Sequence, residues 1–194
     1  EQMARQALAL GYEYIAITDH SPLAPAFRCI DAEGLLRQID EIDCLNEALE
    51  GIRVLKAVEV DIREDGSLDL PDDVLSRLDL RVCSVHTALH LSRDKQTERI
   101  LRAMDNPLFN ILGHPTGRVI GQVPAMDLDM EAIMRGALER GCYLELNARP
   151  KRLDLDDVHA RMARDLGLKV AISTDAHTPE ELAFMHFGIG QAQR

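Results

Sequence analysis

Four of the seven histidines in this chain, His20, His86, His114 and His177, each close a short apolar run. Tyr12–His20 ends on Thr18-Asp19-His20, Asp79–His86 on His86, Asn110–His114 on His114, and Lys169–His177 on Asp175-Ala176-His177. A fifth run, Arg53–Val60, carries Glu59 near its end, with Asp61 just beyond. A hydrophilic side chain at the end of a buried run needs a partner, and a bound cation is an efficient one. Imidazoles mixed with carboxylates, without thiolates, suit Zn²⁺, Mn²⁺ or Fe²⁺ and fit poorly with Ca²⁺ or Mg²⁺ alone. His20, Glu59, His86, His114, Asp175 and His177 together exceed what one tetrahedral zinc needs, so at least two ions are expected. Water held by such ions would have its pKa lowered to about 7, giving a nucleophile at neutral pH. None of the serines or cysteines has an obvious activating partner, so no side-chain nucleophile is assigned.

These residues can act together only if the elements carrying them point one way. Tyr14-Ile15-Ala16-Ile17, Val54-Leu55 and Lys169-Val170-Ala171-Ile172 read as strands buried on both faces of a parallel sheet. The strands counted are Tyr12–Thr18, Arg53–Val60, Leu80–Val85, Asn110–Leu112, Cys142–Asn147 and Lys169–Thr174. Helical patterns alternate with them: Glu1–Leu10 stopping at Gly11, Asp31–Glu50, a helix opened by Asp127 or Asp129 and closed by Gly141, and Asp154–Leu166 before Gly167. Shorter helices are expected at about Asp72–Arg77, Asp94–Met104 and Pro179–Phe187. Strand–helix alternation implies right-handed crossovers, and in a barrel of parallel strands all C-terminal ends share one face. His20–Ile30, with Pro22, Pro25 and Phe27, reads as a longer loop on that face. Gly66, between Asp65 and Ser67, reads as a surface turn.

Length and charge narrow the functions further. The 194 residues suffice for one domain with a sizeable core. No apolar run approaches the roughly 18–20 residues that span a bilayer, so no membrane partner is expected. The four cysteines, Cys29, Cys44, Cys83 and Cys142, form no Cys-x-x-Cys pair, and the expected compartment is the cytoplasm. A net charge of −11 argues against a general nucleic-acid-binding surface. It leaves room for a metal-lined pocket acting on a single phosphate.

Ile17-Thr18-Asp19-His20, Val58-Glu59-Val60-Asp61, Ser84-Val85-His86, Gly113-His114-Pro115 and Thr174-Asp175-Ala176-His177 resemble, in order, the motifs of the polymerase-and-histidinol-phosphatase (PHP) family. Within the family the likeness is strongest to the C-terminal PHP domain of bacterial family X DNA polymerases, on Gly11–His20, Gly113–Arg118 and Arg152–Leu155. The resemblance implies a distorted seven-stranded, TIM-like (β/α)7 barrel with a trinuclear site of two to three divalent ions. It implies that His20, Glu59, His86, His114, Asp175 and His177 are ligands. Family members also begin with a strand bearing a His-x-His pair, which is absent here. The expectation is therefore one PHP domain over residues 1–194 whose first strand is missing from the chain, leaving a sheet edge beside Tyr12–Thr18 open to self-association.

Arg118 is placed either to clamp a phosphate or to serve as a loop arginine paired with a carboxylate. Asn147 either touches substrate or caps a turn. Lys151 and Arg152 add positive charge near the rim, unless Arg152 pairs with Asp154 or Asp156. Asp19 is expected to support its neighbour rather than ligate, and His90, His159 and His186 are read as loop or helix-face residues. The leading functional expectation is a metal-dependent phosphoesterase of a polymerase X-like repair enzyme, acting on DNA 3′ ends as a 3′-5′ exonuclease through a metal-bound hydroxide. The alternatives are a free-standing phosphatase of the histidinol-phosphatase type and a catalytically incomplete structural domain.

Overall fold

A computed structural model describes residues 1–24 and 29–194, so Pro25 and Phe27 of the expected loop lie outside the described residues. Strands and helices alternate along it: α1 (Gln2–Ala9), β1 (Tyr14–Ile17), α2 (Ala32–Ala48), β2 (Arg53–Asp61), α3 (Asp72–Leu75), β3 (Leu80–Ser84), α4 (Arg93–Met104), β4 (Ile111–Leu112), α5 (Met130–Arg140), β5 (Tyr143–Asn147), α6 (Asp157–Leu166), β6 (Val170–Ser173), a 3-10 helix (Pro179–Phe184) and α7 (Met185–Ala192). The helix boundaries follow local chemistry. The carboxylates of Asp31, Asp129 and Asp156 accept from Gly34 N, Ala132 N and His159 N, starting α2, α5 and α6. Gly141 (φ 69°) and Gly167 (φ 75°) take the left-handed conformation that ends α5 and α6. The start of α6 differs from expectation, because Asp154 is fully buried in the preceding loop and Asp156 is the cap. Asp65-Gly66-Ser67 forms a hairpin-like turn closed by Arg63 N to Ser67 O at 2.7 Å.

Six parallel strands lie in sequence order, β1-β2-β3-β4-β5-β6, and curl into a half-barrel. Register runs from Ile17 opposite Lys56, through Asp61 opposite Ser84 and Leu112 opposite Leu144, to Asn147 opposite Ser173. The core sits between sheet and helices, where Val58, Val60, Cys83, Leu112 and Leu144 meet Leu35, Leu75, Ile100, Ile133 and Met134. Among the described residues β1 and β6 are edges of the sheet and pair with each other nowhere. That overturns the reading of Tyr14–Ile17 and Lys169–Ile172 as buried on both faces. Every residue of β6 is half-buried, as are Ile15, Ala16 and Ile17, and Tyr14 is 64% exposed. Their apolar composition does not by itself supply a neighbour on the open side. The curl is held across the opening by Tyr12, whose hydroxyl donates to Leu182 O at 2.7 Å, and by Ala7 of α1, which packs with Ile52 and Leu182.

Among the described residues no helix is long and apolar enough to cross a membrane. Gly113 marks a close approach of β4 to the side chains of β3. A Cβ there would lie 2.3 Å from Ser84 Oγ and 2.7 Å from Val82 Cγ1, so β4 can run against β3 only with glycine before His114.

Candidate metal centre

The regular strands stop short of most of the chemically interesting residues. Glu59 lies within β2, while His20, His86, His114, Asp175 and His177 follow strand ends by two to four residues. The chain after β1 is laced back onto β2. Glu59 N donates to Asp19 O at 3.0 Å and Ser21 N to Glu59 O at 2.9 Å, and Ser21 Oγ accepts from Asp61 N at 2.9 Å. That lacing pairs His20 with Glu59 as an isolated parallel bridge. Asp19 points elsewhere, accepting from Gln38 of α2.

Glu59 stands amid three imidazoles. Its Oε1 lies 3.0 Å from His114 Nε2 and 3.4 Å from His86 Nε2, and its Oε2 lies 3.5 Å from His20 Nδ1. Ligand atoms of His20, Glu59 and His86 fall within 4.8 Å of one another, a spacing that can hold one cation. The rings of His20 and His86 meet edge to face at 5.1 Å, and those of His86 and His114 at 5.0 Å. His177 joins from β6, its ring 6.3 Å from that of His20. Asp175 sits beside it, with Oδ1 3.6 Å from His177 Nδ1. All six residues gather at the C-terminal edge of the sheet. The residues fit a divalent cation. The donors are imidazole and carboxylate, and His114 Nδ1 is buried without a hydrogen-bond partner.

The buried charges of the cluster are coupled to one another. Burial alone would lower the pKa of His114, but the hydrogen bond and charge of Glu59 outweigh it and push it up to about 9. Burial alone would raise Glu59, and the surrounding imidazoles hold it far below the usual carboxylate range instead. For His20 burial prevails and lowers the pKa against the pull of Glu59. His114 and Asp175 have left-handed backbones, φ 25° and 50°. Such conformations cost side-chain-bearing residues roughly 1–3 kcal/mol and cluster at functional sites.

Among the neighbours, Asp61 and Arg152 were named in the sequence without these contacts, and Arg149 and Glu145 were not singled out there. Asp61, fully buried, places Oδ1 3.1 Å from His86 Nδ1. Arg149 donates to Asp175 O, lies 2.9 Å from His177 Nδ1 and pairs with Glu181 at 2.9 Å. Arg152 pairs with neither Asp154 nor Asp156 but sets Nε 3.4 Å from Asp175 Oδ2. Glu145 lies beneath the centre, where burial pushes its carboxyl up to about 7 against the charge of His114. The sequence signal for Glu145 was two polar residues, Glu145 and Asn147, alternating inside an apolar strand.

The two residues expected to touch substrate are engaged in other ways. Arg118 donates Nε to Arg152 O at 2.9 Å and Nη2 to Leu153 O, with Nη1 3.5 Å from Asp156. Its guanidinium staples two loops. Asn147 is fully buried, donating to Asp175 Oδ2 at 3.1 Å and accepting from Arg149 N at 3.0 Å. It supports Asp175 and the turn after β5. His159 faces Asp156 at 2.9 Å, and His186 stacks on Phe187 at 3.8 Å.

Comparison with known proteins supplies the context. No family model matches the chain. Across its whole length the chain is 39% identical to the DNA polymerase/3'-5' exonuclease PolX of Bacillus subtilis, of which it spans 34%. It is 33% identical over 184 residues to a protein of Thermoanaerobacter sp. strain X514 named a probable phosphatase, covering 90% of this chain and 70% of that one. The chain belongs to the polymerase-and-histidinol-phosphatase (PHP) family. Its half-barrel has a solved counterpart. The crystal structure of histidinol phosphate phosphatase from Lactococcus lactis, complexed with zinc, L-histidinol and phosphate, superposes with a TM-score of 0.67. That match is at 17% identity, over 99% of this chain and 85% of that one.

Proposed function

We propose that this PHP chain is a metal-dependent phosphoesterase whose centre is built from His20, Glu59, His86, His114, Asp175 and His177. The observation that carries the reading is Glu59, buried among three imidazoles at the C-terminal edge of a parallel half-barrel. A carboxylate so placed can face two cations at once. When bound, divalent cations lower the pKa of water to about 7 and neutralise charge on phosphoryl oxygens. The protein's own residues do the rest. Asp61 holds His86, Asn147 holds Asp175, and Arg149 braces the His177 turn. Arg152, its side chain 18% exposed beside Asp175, is the cation placed to receive a phosphate oxygen, the role first considered for Arg118.

For the substrate, the likeness of this whole chain to 34% of a PolX 3'-5' exonuclease favours a terminal phosphodiester at a DNA 3′ end. The acidic balance of −11 favours a pocket that takes one phosphate over a surface that grips a duplex. A second reading, a phosphatase acting on a small ester, rests on the likeness to the probable phosphatase, whose length this chain largely covers. In the family barrel a seventh strand with its His-x-His pair would lie between β1 and β6 and complete a trinuclear site; if no strand fills that gap, the edge remains open to self-association. Release of nucleotides from a labelled 3′ end in Mn²⁺, run beside phosphate release from histidinol phosphate, separates the substrates. Turnover of the ester with no attack on DNA overturns the DNA reading.

A further inference from the structure

Glu145 is a buried acidic group near the centre that accepts from three hydrogen-bond donors, and no ligand role needs it. It lies in the middle of β5, 5% exposed. Its Oε2 accepts from His114 N at 2.5 Å and from Asn147 Nδ2 at 3.3 Å, and its Oε1 accepts from Ser173 Oγ. Asn147 Nδ2 also donates to Asp175 Oδ2 at 3.1 Å. One carboxylate thus spans three strand ends, reaching His114 after β4 directly and Asp175 after β6 through a single amide.

The arrangement does more than tie strands together. The ladders already join β4 to β5 and β5 to β6, so a charge is not needed for that task. Burying a carboxylate is costly, and an apolar residue of similar volume is commonly as stable or more so. The two residues Glu145 reaches are the two site residues with left-handed backbones, His114 and Asp175. Neither conformation is favoured by its own sequence, so something outside must hold it.

We propose that Glu145 is a positioning residue of the metal centre, fixing the main chain of His114 and, through Asn147, the carboxylate of Asp175 at the separation the cations require. This rests on the reading of the site as a metal centre. A purely structural Glu145 would affect stability and leave the metal untouched.

The test uses Co²⁺ as probe, since its visible absorption reports ligand geometry. Glu145→Gln keeps shape and one acceptor for His114 N but loses the charge and the multiple acceptance. Glu145→Asp keeps the charge and withdraws it by one methylene. Both are expected to bind Co²⁺ roughly tenfold or more weakly, the usual effect of removing support from metal ligands. The absorption band should shift, and kcat should fall with KM little changed. Thermal unfolding of metal-free Glu145→Gln should occur at or above the wild-type temperature. If either Glu145 variant fails to fold, Asn147→Leu, which leaves Glu145 bonded to His114 N and removes the link to Asp175 together with the acceptor for Arg149 N, should still weaken Co²⁺ binding and shift its spectrum. Wild-type Co²⁺ affinity and spectrum in the folded variants, with a change only in unfolding temperature, overturns the proposal. Wild-type protein that binds no Co²⁺, or binds it unchanged after His114→Ala, overturns the metal-centre reading instead.

Discussion

Glu59 Oε1 lies 3.0 Å from His114 Nε2 across the interior of the half-barrel, joining the second strand to the fourth. Both side chains are at least nine-tenths buried. Each stabilises the charged form of the other, so the pair behaves as a preformed, proton-filled version of a cation site.

The sign of the resulting pH dependence is fixed. His114 has its pKa raised from 6.5 to about 9, so its stabilising contribution to the metal-free protein is whole below about 6.5 and disappears as pH rises through 9. Glu145, raised from 4.5 to about 7, also binds its proton more tightly when folded and acts in the same direction from 4.5 upward. His20, whose pKa burial lowers, acts the opposite way below about 6.5, so metal-free protein should lose thermal stability most clearly between about pH 7 and 9. On the proposed ligand role of His114, zinc displaces its proton, so the apparent affinity should rise over the same interval, with proton release visible by calorimetry in buffers of different ionisation enthalpy.

Asp61 is expected to act on the metal through His86. Its carboxylate, 3.1 Å from His86 Nδ1, fixes the ring so that Nε2 faces the centre. Asp61→Ala should weaken zinc binding by about 10- to 100-fold, and Asp61→Asn, which still offers an acceptor, by less. Calorimetric titration with zinc measures both.

Asp154 holds the loop that follows His114. One buried oxygen accepts from Thr116 N at 2.9 Å, Thr116 Oγ1 at 2.9 Å and Gly117 N at 3.1 Å. Removing it leaves buried donors without a partner, so Asp154→Ala should cost about 3 kcal/mol by urea unfolding. Asp154→Asn should cost less.

The two arginines should separate by kinetics. Arg118 is bound to the carbonyls of Arg152 and Leu153, so Arg118→Ala should lower the unfolding temperature and reduce kcat through a loosened loop. Arg152 lies beside Asp175, so Arg152→Ala should chiefly raise KM and weaken inhibition by inorganic phosphate. The reverse pattern would restore Arg118 as the phosphate contact.

The strand order could be read because each apolar run was short, β-branched and separated from the next by a helical period. The gathering of His20, Glu59, His86 and His114 was legible for a related reason, since parallel strands send their ends to one face. Other features depend on which groups meet in space. Asp154 and Asp156 are equivalent as caps in sequence, and only the donors of Thr116 and Gly117 decide that Asp154 turns inward. Arg118 carries the same charge whether it faces a phosphate or two carbonyls. Ile15 and Val170 are as apolar as interior strand residues, yet half-exposed because each lies on an edge strand.

Hydrolysis of bis(p-nitrophenyl) phosphate by the purified protein, with chelator, after restoring Mn²⁺ or Zn²⁺, and in Glu59→Gln, tests the central claim most directly. Activity should vanish with chelator, return with metal, and be absent in the variant under every condition. Hydrolysis that survives the chelator, or a Glu59→Gln protein as active as wild type, would contradict a phosphoesterase centred on Glu59 and its three histidines.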